Sequence, residues 1–173
     1  MEVFLIRHTT PAISKGLIYG RTDVPLTENF DTEKELIKSK LPQNIDLVVS
    51  SPSSRCTLLA NEITGSFITD ERLMELDFGL WEGQTWDTID RAASEQWMED
   101  FVNNRPPNGE ALQEMNTRVM VFWKEILLLN YQHVAIITHA GVIRLILTAV
   151  NNASLQSIFD IKVNYGEVIS IQT

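Results

Sequence analysis

Short apolar runs that stop abruptly at polar residues recur along this chain. Val3 to Ile6 ends at Arg7-His8, Asp46 to Val49 leads into Ser50-Ser51-Pro52, and Val134 to Ile137 ends at Thr138-His139-Ala140-Gly141. Runs this short, apolar without alternation and bounded by turn residues, fit strands buried on both faces of a parallel sheet. Between them the spacing changes to the helical period. Thr27 is a cap candidate for a helix to about Lys40, ahead of Pro42, and Ser53 or Ser54 for one to about Ile63, with Gly65 as its stop. Glu110 to Leu129 places Leu112, Met115, Val119, Phe122, Ile126 and Leu129 on one stripe, and Gly141 opens a last helix through Val150. Phe67 to Thr69 is strand-like. Ile158 to Val163 and Glu167 to Gln172 read as two strands around a turn at Asn164-Tyr165-Gly166. Residues 77–109 are less regular, rich in Trp, Asp and Glu, and carry Pro106-Pro107, which predicts an insertion over one end of the sheet.

This alternation predicts an α/β fold: a three-layer sandwich with a mostly parallel central sheet flanked by helices. The 173 residues predict a single domain over 1–173 with a lid-like insertion at about 77–109. A domain of this size buries roughly 70% of the surface its unfolded chain exposes, so it needs no staple to fold. The single cysteine, Cys56, excludes a disulfide framework or a thiolate metal cage and fits a reducing compartment. Met1 to His8 is too short an apolar run for a signal peptide and lacks a basic leader. No stretch reaches the roughly 18 apolar residues of a membrane span. The expectation is a soluble, cytoplasmic protein with no membrane partner, either monomer or homodimer.

The formal net charge of −9 changes the picture further. Nucleic acid is a poor partner for so acidic a chain, because binding it requires Lys and Arg at the phosphates. The same charge repels small anions at long range, so any phosphate site here needs a local cluster of arginines. The strand ends supply one. In a parallel sheet, ligands bind beyond the carboxyl ends of the strands. There Arg7-His8, the Ser50 to Arg55 segment and Thr138-His139 converge. Two guanidinium forks and the start of the helix carrying Arg55 predict a dianion site. A neutral imidazole is a capable nucleophile near pH 7, and it divides phosphate ester hydrolysis into two easier displacements. An acid must then protonate the leaving oxygen. Glu75 is the best candidate, with Asp77 and Glu82 as nearby competitors.

The residues now resemble a known family. Leu5-Ile6-Arg7-His8-Thr9 is similar to the Arg-His-Gly signature of the histidine phosphatase superfamily, the phosphoglycerate mutase-like enzymes. Ser51-Pro52-Ser53-Ser54-Arg55-Cys56, the segment Glu75 to Gly83, Asn108-Gly109-Glu110 and Thr138-His139-Ala140-Gly141 resemble its further motifs, in the family's order. The resemblance runs from the N-terminus through the helix after His139. It implies His8 as the phosphorylated nucleophile, Arg7, Arg55 and His139 as phosphoryl-binding and transition-state residues, Glu75 as proton donor, and neither metal nor cofactor. Within the family, Tyr19 to Thr27 resembles the loop of bacterial α-ribazole phosphatases, which adds Gly20, Arg21 and Thr22 as phosphate-binding candidates. That branch implies hydrolysis of α-ribazole 5′-phosphate, or of the cobamide 5′-phosphate, in cobalamin biosynthesis. The alternatives are a broad-specificity histidine phosphatase, a phosphoglycerate mutase-like enzyme, or a catalytically silent binding protein of the same fold. Lys15 stands where mutases usually carry an asparagine.

Other polar and aromatic residues have plainer readings. His133 precedes its strand and reads as a surface residue. Cys56 has Glu62 six positions on, where a cysteine phosphatase loop carries an arginine, so it reads as a core residue. Glu95 to Asp100 reads as a solvated helix face. Trp81 and Trp86 read as lid packing or as a stacking surface for an aromatic leaving group.

Overall fold

The computed structural model describes residues 1–173. Five strands form one sheet in the order β3-β2-β4-β1-β5. They are β1 (Glu2–Arg7), β2 (Leu47–Ser50), β3 (Ile68–Thr69), β4 (His133–Thr138) and β5 (Val168–Gln172). β1, β2, β3 and β4 run parallel, and β5 pairs antiparallel with β1 at the edge. The helices are α1 (Phe30–Lys38), α2 (Ser54–Ile63), α3 (Arg91–Glu99), α4 (Leu112–Leu127) and α5 (Ala140–Val150).

The strands read as continuous apolar runs because both sheet faces are covered. Side chains alternate across a strand. Val3 and Leu5 of β1, with Val134 and Ile136 of β4, join the core under α4 and α5. Phe4 and Ile6, with Ala135 and Ile137, join a second core with Ile37 of α1 and Cys56, Leu59 and Ala60 of α2. Fully burying one such large aliphatic side chain contributes about 1.5–3 kcal/mol. The stripe expected on α4 is the buried one through Ile126, and the helix ends one residue later, which leaves Leu129 exposed.

Two local expectations are corrected. The chain from Leu155 to Asp160 is a 3₁₀ helix, where a strand from Ile158 was expected. The free edge of β1 is taken by β5 from Glu2 to Ile6, so no partner edge remains for another strand there. Ile158 and Val163 instead bury into the α4–α5 core. Thr27 does not cap α1: the Pro11–Leu26 bridge and the Thr27 N–H bond to the Thr10 carbonyl hold it in extended pairing, and the helix starts at Phe30 after Asn29.

Residues 77–109 carry a 3₁₀ turn (Gly79–Trp81) and α3, and they have their own small core. Trp81, Ile89 and Trp97 pack there with Ile18 from the loop after β1. No helix in the structure is long and apolar enough to cross a membrane.

Candidate active site

His8 follows β1 and His139 follows β4. These strands are neighbours in register, with Arg7 opposite Thr138, so both histidines leave the sheet side by side. Their ring centroids are 5.3 Å apart, edge to face. His139 is the N-cap residue of α5. Arg55, in the first turn of α2, is fully buried. Its Nη2 donates to the Gly20 carbonyl at 2.7 Å and lies 3.2 Å from His139 Nδ1. A guanidinium can only donate, so Nδ1 accepts and the His139 proton sits on Nε2, facing Ser51 Oγ at 2.8 Å. His8 Nδ1 is 2.7 Å from the Thr9 carbonyl. A carbonyl only accepts, so Nδ1 carries the His8 proton, and the Nε2 lone pair is left with no protein partner.

Both rings are neutral at physiological pH. Burial, with Arg55 and Arg7 beside it, pushes His8 down to about 3, against the partial support of the Thr9 carbonyl. Burial and Arg55 hold His139 well below the usual histidine range.

The two arginines are incompletely satisfied. Arg7 Nη1 donates to the Val163 carbonyl at 2.7 Å, and Arg55 Nη1 to the Thr22 carbonyl at 3.0 Å. The Nε of each is buried without a hydrogen-bond partner. An orphaned buried donor costs about 1–3 kcal/mol, more for a charged group. Two such donors beside two neutral imidazoles make a site that an oxyanion would complete. At the start of α2, expected to bind that anion, Asp23 already takes the first donor: Ser54 donates through its N–H and Oγ to Asp23 Oδ1, at 3.0 and 2.9 Å.

Gly20, Arg21 and Thr22 stand behind the site. The carbonyls of Gly20 and Thr22 hold Arg55, whereas the Arg21 guanidinium bonds Glu110 Oε2 at 3.1 Å and the Glu75 carbonyl at 3.2 Å. Glu82 accepts from the N–H groups of Arg21, Thr22 and Phe78 and from the Thr22 hydroxyl. Asp77 accepts from the Gly79 N–H. These three loop residues therefore position Arg55 and the acidic segment, with the Arg21 guanidinium and the Thr22 hydroxyl both engaged with protein carboxylates.

Of the three acidic candidates, only Glu75 lines the cavity at the site. Its carboxylate accepts from the Leu76 N–H at 2.9 Å and the Gly141 N–H at 3.2 Å, at the N-terminus of α5. Only glycine allows this approach: a Cβ on Gly141 would fall 2.2 Å from Glu75 Oε1. The Glu75 backbone is pinned too. Its carbonyl accepts from Arg21 and Arg118, and both arginines are held by Glu110, the acid of the Asn108-Gly109-Glu110 motif.

A cavity of about 260 Å³ extends from Arg7 and Glu75. Its walls are mostly apolar: Leu17, Ile18, Leu76, Phe78, Leu112, Met115, Ile158 and Phe159, with Trp86 and Arg144. Trp86 is half exposed there, whereas Trp81 is buried in the small core of residues 77–109. Cys56 is buried in the α2 core, and burial pushes its thiol up to about 12. His133 bonds the Asn44 carbonyl, away from the site.

Two tyrosines near the histidines are not among the site candidates: Tyr19 opens the loop segment that resembles the α-ribazole phosphatases, and Tyr165 sits in the turn before β5. Tyr165 lies flat against Arg7, with the guanidinium carbon 3.6 Å from the ring centroid, and 5.6 Å from His8 ring to ring. Tyr19 lies under Arg55 at 5.1 Å, and the two hydroxyls are 3.0 Å apart. The pair brackets both arginines. The Gly166 N–H bonds the His8 carbonyl, which brings the Tyr165 turn to the site.

The model of the histidine phosphatase superfamily (branch 1) matches residues 3–173. The chain belongs to that superfamily. A Hydrogenobacter thermophilus protein named "Putative phosphoserine phosphatase 2" is 26% identical over 98% of this chain and 88% of its own length. The crystal structure of an α-ribazole phosphatase from Shigella flexneri superposes with a TM-score of 0.88 at 26% identity, covering 99% of this chain and 90% of that one. A phosphoglycerate mutase from Thermus thermophilus gives 0.78 at 29% identity, covering 99% and 92%. No group of three or more His, Cys, Asp or Glu side chains in this histidine phosphatase is arranged to hold a metal ion.

Proposed function

We propose that this histidine phosphatase hydrolyses phosphate monoesters through a phosphohistidine on His8. The observation that carries the reading is the Nδ1–H bond of His8 to the Thr9 carbonyl, which frees the Nε2 lone pair beside two guanidinium groups with orphaned N–H donors. Nε2 attacks phosphorus, the bond to the leaving oxygen breaks, and Glu75 delivers a proton to that oxygen. Arg7 and Arg55 hold the oxygens of the transferred group and stabilise its charge in the transition state, and His139 joins them by exchanging its Nε2–H bond to Ser51 for one to a phosphoryl oxygen. Water then attacks the phosphohistidine, Glu75 takes its proton, phosphate leaves and His8 Nε2 is free again.

The chain acts as one domain over 1–173, with residues 77–109 as a lid whose Trp86 reaches the cavity rim. The proposed substrate is α-ribazole 5′-phosphate or the cobamide 5′-phosphate. The likeness of the Tyr19 to Thr27 loop, the Shigella flexneri neighbour and an apolar, partly aromatic cavity wall support it.

The test is a rapid acid-free quench with labelled substrate, alongside phosphate release from α-ribazole 5′-phosphate, 3-phosphoglycerate and p-nitrophenyl phosphate in excess EDTA. The expected result is an acid-labile, base-stable phosphoenzyme, EDTA-insensitive turnover, preference for the ribazole ester, and loss of all activity in His8→Ala. Equal slow turnover of the three esters overturns the substrate and keeps the mechanism. Turnover that survives His8→Ala overturns the mechanism.

A further inference from the structure

The cavity holds a cation that the phosphoryl site does not use. Arg144 lies one helical turn beyond Gly141 on α5, so the two share a face, and both line the cavity with Arg7 and Glu75. Its Nε donates to the Ile161 carbonyl at 2.8 Å. The protein supplies no other hydrogen-bond partner, and no carboxylate comes within salt-bridge distance. A guanidinium carries five N–H donors, so four have no protein partner and open to solvent at the edge of a mostly apolar wall. Burial and the neighbouring Arg7 lower the Arg144 pKa, only partly offset by Glu75. The cavity therefore has two arginines against one carboxylate, before any ligand enters. The transferred phosphoryl group answers Arg7. The Arg144 Nη groups have no partner in the protein.

We infer that Arg144 is a specificity-determining residue that favours a phosphate monoester whose partly apolar leaving group carries a second anionic group, above all a carboxylate, over the same ester without it. A half-buried cation with free donors favours an anion over a neutral acceptor, because charge-assisted hydrogen bonds are about twice as strong. Leu112, Met115, Ile158 and Phe159 provide the apolar wall for the rest of the leaving group. The inference rests on the proposed reaction at His8. It goes beyond that reading in one respect: the neutral nucleoside of α-ribazole 5′-phosphate does not engage the Arg144 charge, whereas a carboxylate on an apolar leaving group does.

The experiment compares kcat/KM for 4-carboxyphenyl phosphate and phenyl phosphate, in the wild-type protein and in Arg144→Met and Arg144→Lys. The ratio of the two esters within one protein cancels any general loss of folded enzyme. The expected result is a carboxylate preference that falls about 10- to 100-fold in Arg144→Met, as the loss of a charged hydrogen bond predicts. Arg144→Lys keeps part of it, because the charge remains and the fork is lost. An ester ratio unchanged in both variants, with phenyl phosphate still turned over through His8, overturns the role of Arg144 and leaves the reaction standing. Absence of turnover and of phosphoenzyme with either ester overturns the reaction, and the inference with it. A failure of the esters to bind would show as absent competition against p-nitrophenyl phosphate and would also overturn the inference.

Discussion

Gly141→Ala isolates the contact that sets the acid in place. Residue 141 is helical, so alanine suits its backbone and raises helix propensity by up to about 1 kcal/mol. Its Cβ, however, would sit 2.2 Å from Glu75 Oε1 and 3.1 Å from Met115 Cε. Methionine is flexible and gives way. The carboxylate must move by about 1 Å to regain ordinary contact, and a displacement of that size can cost about 100-fold in rate. General acid catalysis itself is worth about 10²–10⁴, which brackets the loss. The assay is kcat for an alkyl phosphate against p-nitrophenyl phosphate, whose nitrophenolate departs without needing a proton. The alkyl ester should lose about 100-fold and the nitrophenyl ester far less. The melting temperature should stay within about 4 °C, since the propensity gain offsets the crowding. Equal losses on both esters, or a fall of under about threefold on the alkyl ester, would refute the placement of Glu75 as proton donor.

Two further outcomes follow from the same geometry. Tyr165→Leu removes the ring stacked on Arg7 and should weaken inhibition by inorganic phosphate by about 2- to 30-fold, the range of a cation–π contact, whereas Tyr165→Phe, which loses only the Tyr19 bond, should change it less. An unaltered phosphate Ki in Tyr165→Leu would show that the ring does not hold Arg7. His8 and His139 are kept neutral by the fold, below their ordinary value of 6.5. The unfolded chain therefore binds more protons, and stability is full above about pH 6.5 and declines as pH falls toward the folded value of about 3 for His8. Each histidine contributes up to about 1.4 kcal/mol per pH unit inside that window. Urea unfolding at pH 7 and pH 5 should show the decline, and His139→Gln should flatten it; equal stability at the two pH values would contradict neutral burial of the pair.

Local pattern was enough to reveal most of the scaffold. β1, β2 and β4 are apolar runs because parallel strands are buried on both faces, and their polar ends mark where the chain leaves the sheet toward a ligand. His8, Arg55 and His139 could be placed together from that rule, and the motif order carried Glu75 with them. The same reasoning failed where a residue's partner lies far along the chain. The strand expected at Ile158 to Val163 depended on a sheet edge that β5 had taken. The helix start at Arg55 is expected to receive an anion, but Asp23 already takes its first N–H, that of Ser54. Gly20 to Thr22 looked like a phosphate loop, yet its carbonyls face Arg55 and its arginine is held by Glu110. The pairing of Tyr19 with Tyr165, 146 positions apart, and the lack of a protein partner for the Arg144 Nη groups carry no local signal at all. The sequence alone determined which strands are buried and which residue types stand at their ends, because burial and turn chemistry are written in neighbouring residues. Only the tertiary structure decided which donors are left unsatisfied, because satisfaction is a property of the space around an atom and that space is closed by distant parts of the chain.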